Sequence, residues 1–158
     1  MSDVMPRQEA APEAMVPLTP DEEAVVRSLS RVIYALPRAL DADMVREQRL
    51  PLIEYMALVH LSEAHDRQMR MSDLAGACEL SVSGMTRVVH RLENDGLVQR
   101  VKCTQDARGW NAVLTDEGLA RLREAWRTNL SSVRRHFLDH LEGVDLQALG
   151  AALRNVAT

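Results

Sequence analysis

At 158 residues, with 46% apolar and 27% charged side chains, the chain can bury one good core and is too short for two ordinary domains. Only five residues are Phe, Trp or Tyr, so the core must be built mainly from Leu, Val, Met and Ala, which favours helices. The net charge of −4 excludes a uniformly basic nucleic-acid binder but not a local basic surface: residues 1–23 hold one cation against six acids, and residues 81–92 hold Arg87 and Arg91 with no acid.

Residues 1–19 carry Pro6, Pro12 and Pro17 among Ala, Glu and Met, the composition of an acidic tail with little structure of its own. Thr19-Pro20-Asp21-Glu22-Glu23 then starts a helix, with Thr as cap, Pro in the first turn and acids at the positive end of the dipole. Its stripe of Val25, Leu29, Val32, Leu36 and Leu40 predicts a helix over 20–46, kinked at Pro37. Pro51 opens a second helix, to about residue 65, with Leu52, Tyr55, Leu58 and Val59 on one side. Ser72-Asp73 is read as the cap of a short third helix ending near Glu79. Ser81 caps a fourth, which Asn94-Asp95-Gly96 terminates. Two β-type runs follow, 97–103 and 110–114, joined by the turn-rich 104–109 into a hairpin. Thr115-Asp116-Glu117 starts a long helix whose stripe runs Leu119, Leu122, Trp126, Leu130, Val133, Phe137, Leu141 and stops at Gly143. A last helix uses Leu146, Leu149, Leu153 and Val156.

The fourth helix has two faces. Val82, Met85, Val89 and Leu92 make an apolar stripe, while Ser83, Thr86, Arg87 and His90 share a different side. Short helix, tight turn, second helix with a polar face, then hairpin: this is the order of a winged helix-turn-helix, a mainly α fold with a small β-hairpin wing. Ser81, Ser83, Thr86, Arg87, His90 and Arg91 are therefore candidate DNA contacts, and Gly84 would let the backbone approach a groove wall. Arg100 and Lys102, flanking the wing, would serve phosphates.

From Ser81 to Thr115 the chain resembles the MarR family of winged-helix transcription regulators. The resemblance rests on Asp106-Ala107-Arg108, on Val113-Leu114-Thr115-Asp116-Glu117-Gly118, and on the helix-to-wing junction Leu92-Glu93-Asn94-Asp95-Gly96-Leu97-Val98. In layout it covers about 20–158. It implies one MarR-like domain, with a winged part at 48–115 and dimerisation helices at 20–46 and 116–158, that pairs into a homodimer on double-stranded DNA at a pseudo-palindromic promoter site, most often as a repressor. It also implies that Arg108 enters the minor groove while Asp106 holds its side chain. In the resembled family a small-molecule pocket lies between the first two helices and the winged part, so Tyr34, Arg38 and Tyr55 become candidates for a phenolic or carboxylate effector.

Other chemistry finds less support. There is no Gly-rich phosphate loop, G-x-S-x-G or H-E-x-x-H, so neither an enzyme nor a cofactor is expected. His136 and His140 are spaced i, i+4 on the long helix, but two ligands do not make a zinc site, and packing or solvent-facing histidines are the expectation. Cys78 and Cys103 have no metal-type spacing and are read as buried or merely tolerated thiols. No apolar run could span a bilayer and no signal-like segment opens the sequence, which predicts a cytoplasmic protein without a membrane partner. The alternative function is a winged helix that binds protein; it should expose apolar residues on the fourth helix, whose outer face reads as polar.

Overall fold

The computed structural model describes residues 16–103 and 109–156. Most of the expected tail (1–15), the wing tip with Asp106 and Arg108, and the last two residues lie outside them. The chain divides into two units, Met1–Ile33 and Tyr34–Thr158. In the first, α1 (Pro20–Gln48) begins as the sequence suggests: the Thr19 hydroxyl accepts from the Glu22 amide, and the Glu22 carboxylate accepts from the Thr19 amide at 2.7 Å. Helix geometry continues through Pro37.

The second unit holds the rest of α1, then α2 (Leu52–Glu63), β1 (Gln68–Arg70), α3 (Met71–Ala77), α4 (Val82–Asn94), β2 (Val98–Lys102), β3 (Trp110–Leu114), α5 (Asp116–His136) and α6 (Leu146–Val156). The three strands form an antiparallel sheet in the order β1-β3-β2. Its core is aliphatic: Leu58 and Leu61 of α2, Leu74 of α3, Met85, Val89 and Leu92 of α4, and Val98, Ala112 and Leu114 of the sheet are buried together. The apolar stripe of α4 therefore seats that helix, as its period requires.

Four local expectations need correction. Strand β1 falls in a stretch that the sequence leaves as a connection; its three residues pair with β3, more than 40 positions away, and no hairpin turn announces it. Helix α3 starts two residues earlier than expected, with Arg70 at its cap in place of Ser72, and the Ser72 hydroxyl bonds the Asp73 carboxylate instead of capping the helix. Helix α5 ends at His136, not near Gly143; a 3-10 turn at Leu138–His140 follows, so His136 and His140 do not share a helical face. Val82 is 53% exposed, so the buried residues of α4 are Met85, Val88, Val89 and Leu92.

Two glycines explain the motifs around the wing. Gly96, with φ +73°, makes the left-handed turn that ends α4. The first turn of α5 lies on that junction: the Thr115 amide donates to the Leu97 carbonyl at 3.1 Å, and the Thr115 hydroxyl to the Gly96 carbonyl at 2.7 Å. A Cβ on Gly118 would fall 2.1 Å from the Leu97 carbonyl oxygen, so only glycine lets the helix come this close. The spacing of Leu114, Thr115 and Gly118 is thus a docking device between wing and helix.

Helix α5 is joined to the end of α1 by polar contacts. Asp43, almost fully buried, accepts from the Ser132 hydroxyl (2.6 Å), Arg135 (2.6 Å) and His136 Nε2 (2.9 Å), and Arg46 reaches its other oxygen at 2.6 Å. These donors, Ser132 foremost, hold the Asp43 carboxyl well below the usual carboxylate range. Gln48 adds a bond to Thr128 at 2.8 Å and accepts from Arg121 at 2.9 Å.

Candidate nucleic-acid interface

Helices α3 and α4 form a helix-turn-helix, and β2 and β3 form the strands of a wing beside it. At the start of α4 the Ser81 hydroxyl accepts from the Gly84 amide at 3.1 Å and lies 3.1 Å from the Ser83 hydroxyl. That cap fixes the first turn and leaves Ser81 and Ser83 exposed beside one another. Thr86 donates its proton to the Val82 carbonyl at 2.8 Å, so its oxygen is left as an acceptor. His90 Nδ1 is 3.0 Å from Asn94 Nδ2, which can only donate; the neutral ring then carries its proton on Nε2, away from Asn94.

The cations on this side differ in their attachments. Arg87 is exposed and, among the described residues, makes no ion pair or hydrogen bond. Arg91 donates Nε to the Glu54 carboxylate of α2 at 2.5 Å. Arg100 on β2 is clasped by Glu93 of α4, which takes its Nε at 2.9 Å, a terminal amino group at 2.8 Å and its backbone amide at 3.3 Å. Lys102 lies 5.8 Å from the centre of the Trp110 ring. Asp106 and Arg108 lie outside the described residues.

Between α3, α4 and the wing is a cleft of about 350 Å³ lined by Arg70, Met71, Ser72, Val82, Thr86, Arg100, Gly109 and Trp110. Val82 and the 44% exposed Trp110 thus bring apolar surface to a side that the sequence presents as purely polar. A second cleft of similar volume lies between α2 and α5, lined by Tyr55, Val59, Ser62, Glu63, Leu122, Arg123 and Trp126. Of the three candidate ligand residues only Tyr55 reaches it. Tyr34 is 69% exposed, Arg38 is exposed, and neither lines either cleft. Burial pushes the Tyr55 phenol and the Cys78 thiol above their ordinary values.

Sequence reasoning misses two acids, Glu54 and Asp43, both buried. The signal is present, since Glu54 falls on the stripe of Leu58 and Leu61, and Asp43 on that of Leu36 and Leu40. A carboxylate on an apolar stripe must either leave the core or bring a donor with it.

Capped recognition-type helix, clasped wing strand and three-stranded sheet together define a winged helix-turn-helix protein. A family model described as MarR family matches residues 50–109. A MarR family transcriptional regulator from Streptomyces coelicolor, Sco3205, solved in complex with DNA, is 35% identical, with 90% of each chain covered and a TM-score of 0.81. AbsC, another MarR family regulator from Streptomyces coelicolor, is 39% identical over 90% of this chain and 96% of that one, with a TM-score of 0.79. CouR from Rhodococcus jostii, solved with p-coumaroyl-CoA, shares the fold at 24% identity and a TM-score of 0.68, covering 83% of this chain and 87% of its own. None of the curated proteins matches the chain in sequence. The chain belongs to the MarR family of transcriptional regulators. No helix among the described residues is long and apolar enough to cross a membrane.

Proposed function

We propose that two copies of this chain bind one DNA duplex at a pseudo-palindromic promoter site and repress transcription there. The observation that carries this is the outer face of α4: exposed Ser83, Thr86, Arg87 and His90 stand opposite a fully buried seat, with Arg87 unpaired among the described residues. In this reading α4 lies in the major groove. Its hydroxyls and Arg87 meet base edges, and Val82 offers an apolar contact suited to a thymine methyl. Lys102 serves a phosphate, and Arg108, steadied by Asp106, enters the minor groove where negative potential is concentrated. A solved DNA complex of a relative at 35% identity supports the reading.

Pairing is supported by apolar side chains left exposed on α1 (Val25, Leu29, Val32), α5 (Trp126, Leu130) and α6 (Leu146, Leu153, Val156). The domain plan follows: a winged part at 48–115 between dimerisation helices at 20–46 and 116–158. The α2–α5 cleft is the place for an effector, where Tyr55, Arg123 and Trp126 suit a phenolic or carboxylate compound.

A DNase footprint over the region upstream of the gene tests the reading. A protected site of two half-sites about one helical turn apart is expected. The exposed Val82, Val101 and Trp110 favour a second reading, a winged helix that binds protein; complete absence of protection on that region and on random duplex would select it.

A further inference from the structure

Three arginines stand on or beside α4, in three different states. Arg87 has no partner among the described residues, whereas Arg100 has its Nε and one terminal amino group on the same carboxylate. Arg91 is intermediate: the hydrogen bond to Glu54 takes its Nε alone, and its side chain remains 51% exposed. An arginine has five N–H donors, so the two terminal amino groups of Arg91 keep four of them.

Glu54 is unusual for the opposite reason. Its side chain is 6% exposed, it lies between Ile53 and Tyr55 on a helix that otherwise contributes apolar groups to the core, and Arg91 is its one ion-pair partner among the described residues. A buried carboxylate costs free energy, and its position in the first turn of α2 offsets only part of that cost through the helix dipole. A residue wanted only for packing would be apolar here. What a carboxylate adds is direction, because it holds Nε and turns the terminal amino groups outward. Helical spacing sets Arg91 at the edge of the exposed face, one turn beyond Arg87 and beside the buried Val88. That is the flank of the helix, where a groove-bound helix meets the sugar-phosphate backbone rather than the bases.

We infer that Glu54 is a positioning residue for DNA binding: it holds Arg91 in advance so that the outer edge of the guanidinium meets a backbone phosphate beside α4. The inference rests on the DNA-binding reading of α4. Its physical gain is that a long side chain fixed beforehand loses little rotamer freedom when the phosphate arrives. Lysine could not replace Arg91, because one ammonium cannot hold the buried carboxylate and reach the phosphate with a planar fork.

The test is a fluorescence-anisotropy titration, over a salt series, of the full chain on the footprinted upstream duplex and on a random duplex of equal length. The variants are Glu54→Gln, Arg91→Gln, the double Glu54→Gln/Arg91→Gln, which keeps a neutral hydrogen bond and so protects folding, and Arg91→Lys. Glu54→Gln should weaken binding about threefold to tenfold per half-site. Arg91→Gln and the double variant should each lower the salt slope by roughly one unit per half-site. The double variant should bind no worse than Arg91→Gln, and Arg91→Lys should lose nearly as much affinity as Arg91→Gln despite its charge. A pair that only braces the fold would move melting temperature and leave the salt slope alone. An unchanged slope in Arg91→Gln, or additive losses in the double variant, overturns the inference. Wild-type protein that binds neither duplex overturns the DNA reading beneath it, a result distinct from wild-type binding with unaffected variants.

Discussion

Asp43 brings Ser132, Arg135, His136 and Arg46 onto one carboxylate, and each of its partners has a different claim on the charge. Arg46 and Arg135 are more than half exposed and can be solvated if the carboxylate is removed. Ser132 is fully buried and cannot. Asp43→Ala should therefore destabilise the fold by about 2–4 kcal/mol, mostly through the stranded hydroxyl and the lost charge-assisted bonds. Asp43→Asn should cost less, since an amide oxygen still accepts from Ser132. The pH dependence follows from the direction of the shift. The folded pKa lies below the unfolded one, so the stabilisation is fully present above the unfolded value of about 3.9 and is lost as pH falls toward the folded value. Chemical denaturation between pH 5 and 2 should show a shallower loss of stability in Asp43→Asn than in wild type. Equal slopes would mean that Asp43 does not carry this charge in the folded state.

At the scale of elements, Gly118 and Gly76 make a contrast that composition alone cannot supply. Both are glycines in helices, yet a Cβ at Gly118 meets the Leu97 carbonyl oxygen at 2.1 Å while a Cβ at Gly76 meets nothing within 4 Å. Gly118→Ala should cost about 2–3 kcal/mol by prising α5 from the α4–β2 junction. Gly76→Ala should stabilise the chain by roughly 0.5–1 kcal/mol, because alanine loses less backbone freedom on folding. Thermal melts of the two variants check both signs. The same contrast shows what the sequence can and cannot reveal. Helix α4, its Ser81 cap, the Gly96 stop and the paired strands are legible, because each rests on local spacing or on a turn. Strand β1 is not, since three residues that pair across more than 40 positions leave no local pattern. The end of α5 is obscured because its apolar stripe runs on past His136 while the backbone tightens into a 3-10 turn. At the candidate interface the residue types and their common face are readable. Their attachments are not: that Arg91 is held by Glu54, and Arg100 by Glu93, depends on how α2, α4 and β2 pack.

For the whole molecule the proposed assembly makes every DNA contact count twice. The apolar groups exposed on α1, α5 and α6 predict a dimer at micromolar concentration. Sedimentation at about 50 micromolar, well above the range of weak association, should find no monomer. Given a dimer, the cations on α4 and on the wing separate by the effect of removing each. On the proposed reading of Arg87 among base edges, Arg87→Ala should cost about 1–3 kcal/mol per half-site on the cognate duplex, and discrimination should flatten at one base pair in each half-site. Arg108→Ala should instead weaken binding with little change in sequence preference outside A·T-rich narrow grooves. It should also reduce the salt slope by roughly one unit for every phosphate that each wing no longer neutralises. On the reading that Asp106 steadies Arg108, Asp106→Ala should resemble a milder Arg108→Ala. Asp106→Ala and Arg108→Ala should also combine less than additively, since both act through one side chain. Anisotropy titrations of these variants over a salt series supply the numbers. If Arg108→Ala binds like wild type while sedimentation still shows a dimer, Arg108 does not enter the minor groove, and any contact from the wing is left to its strands.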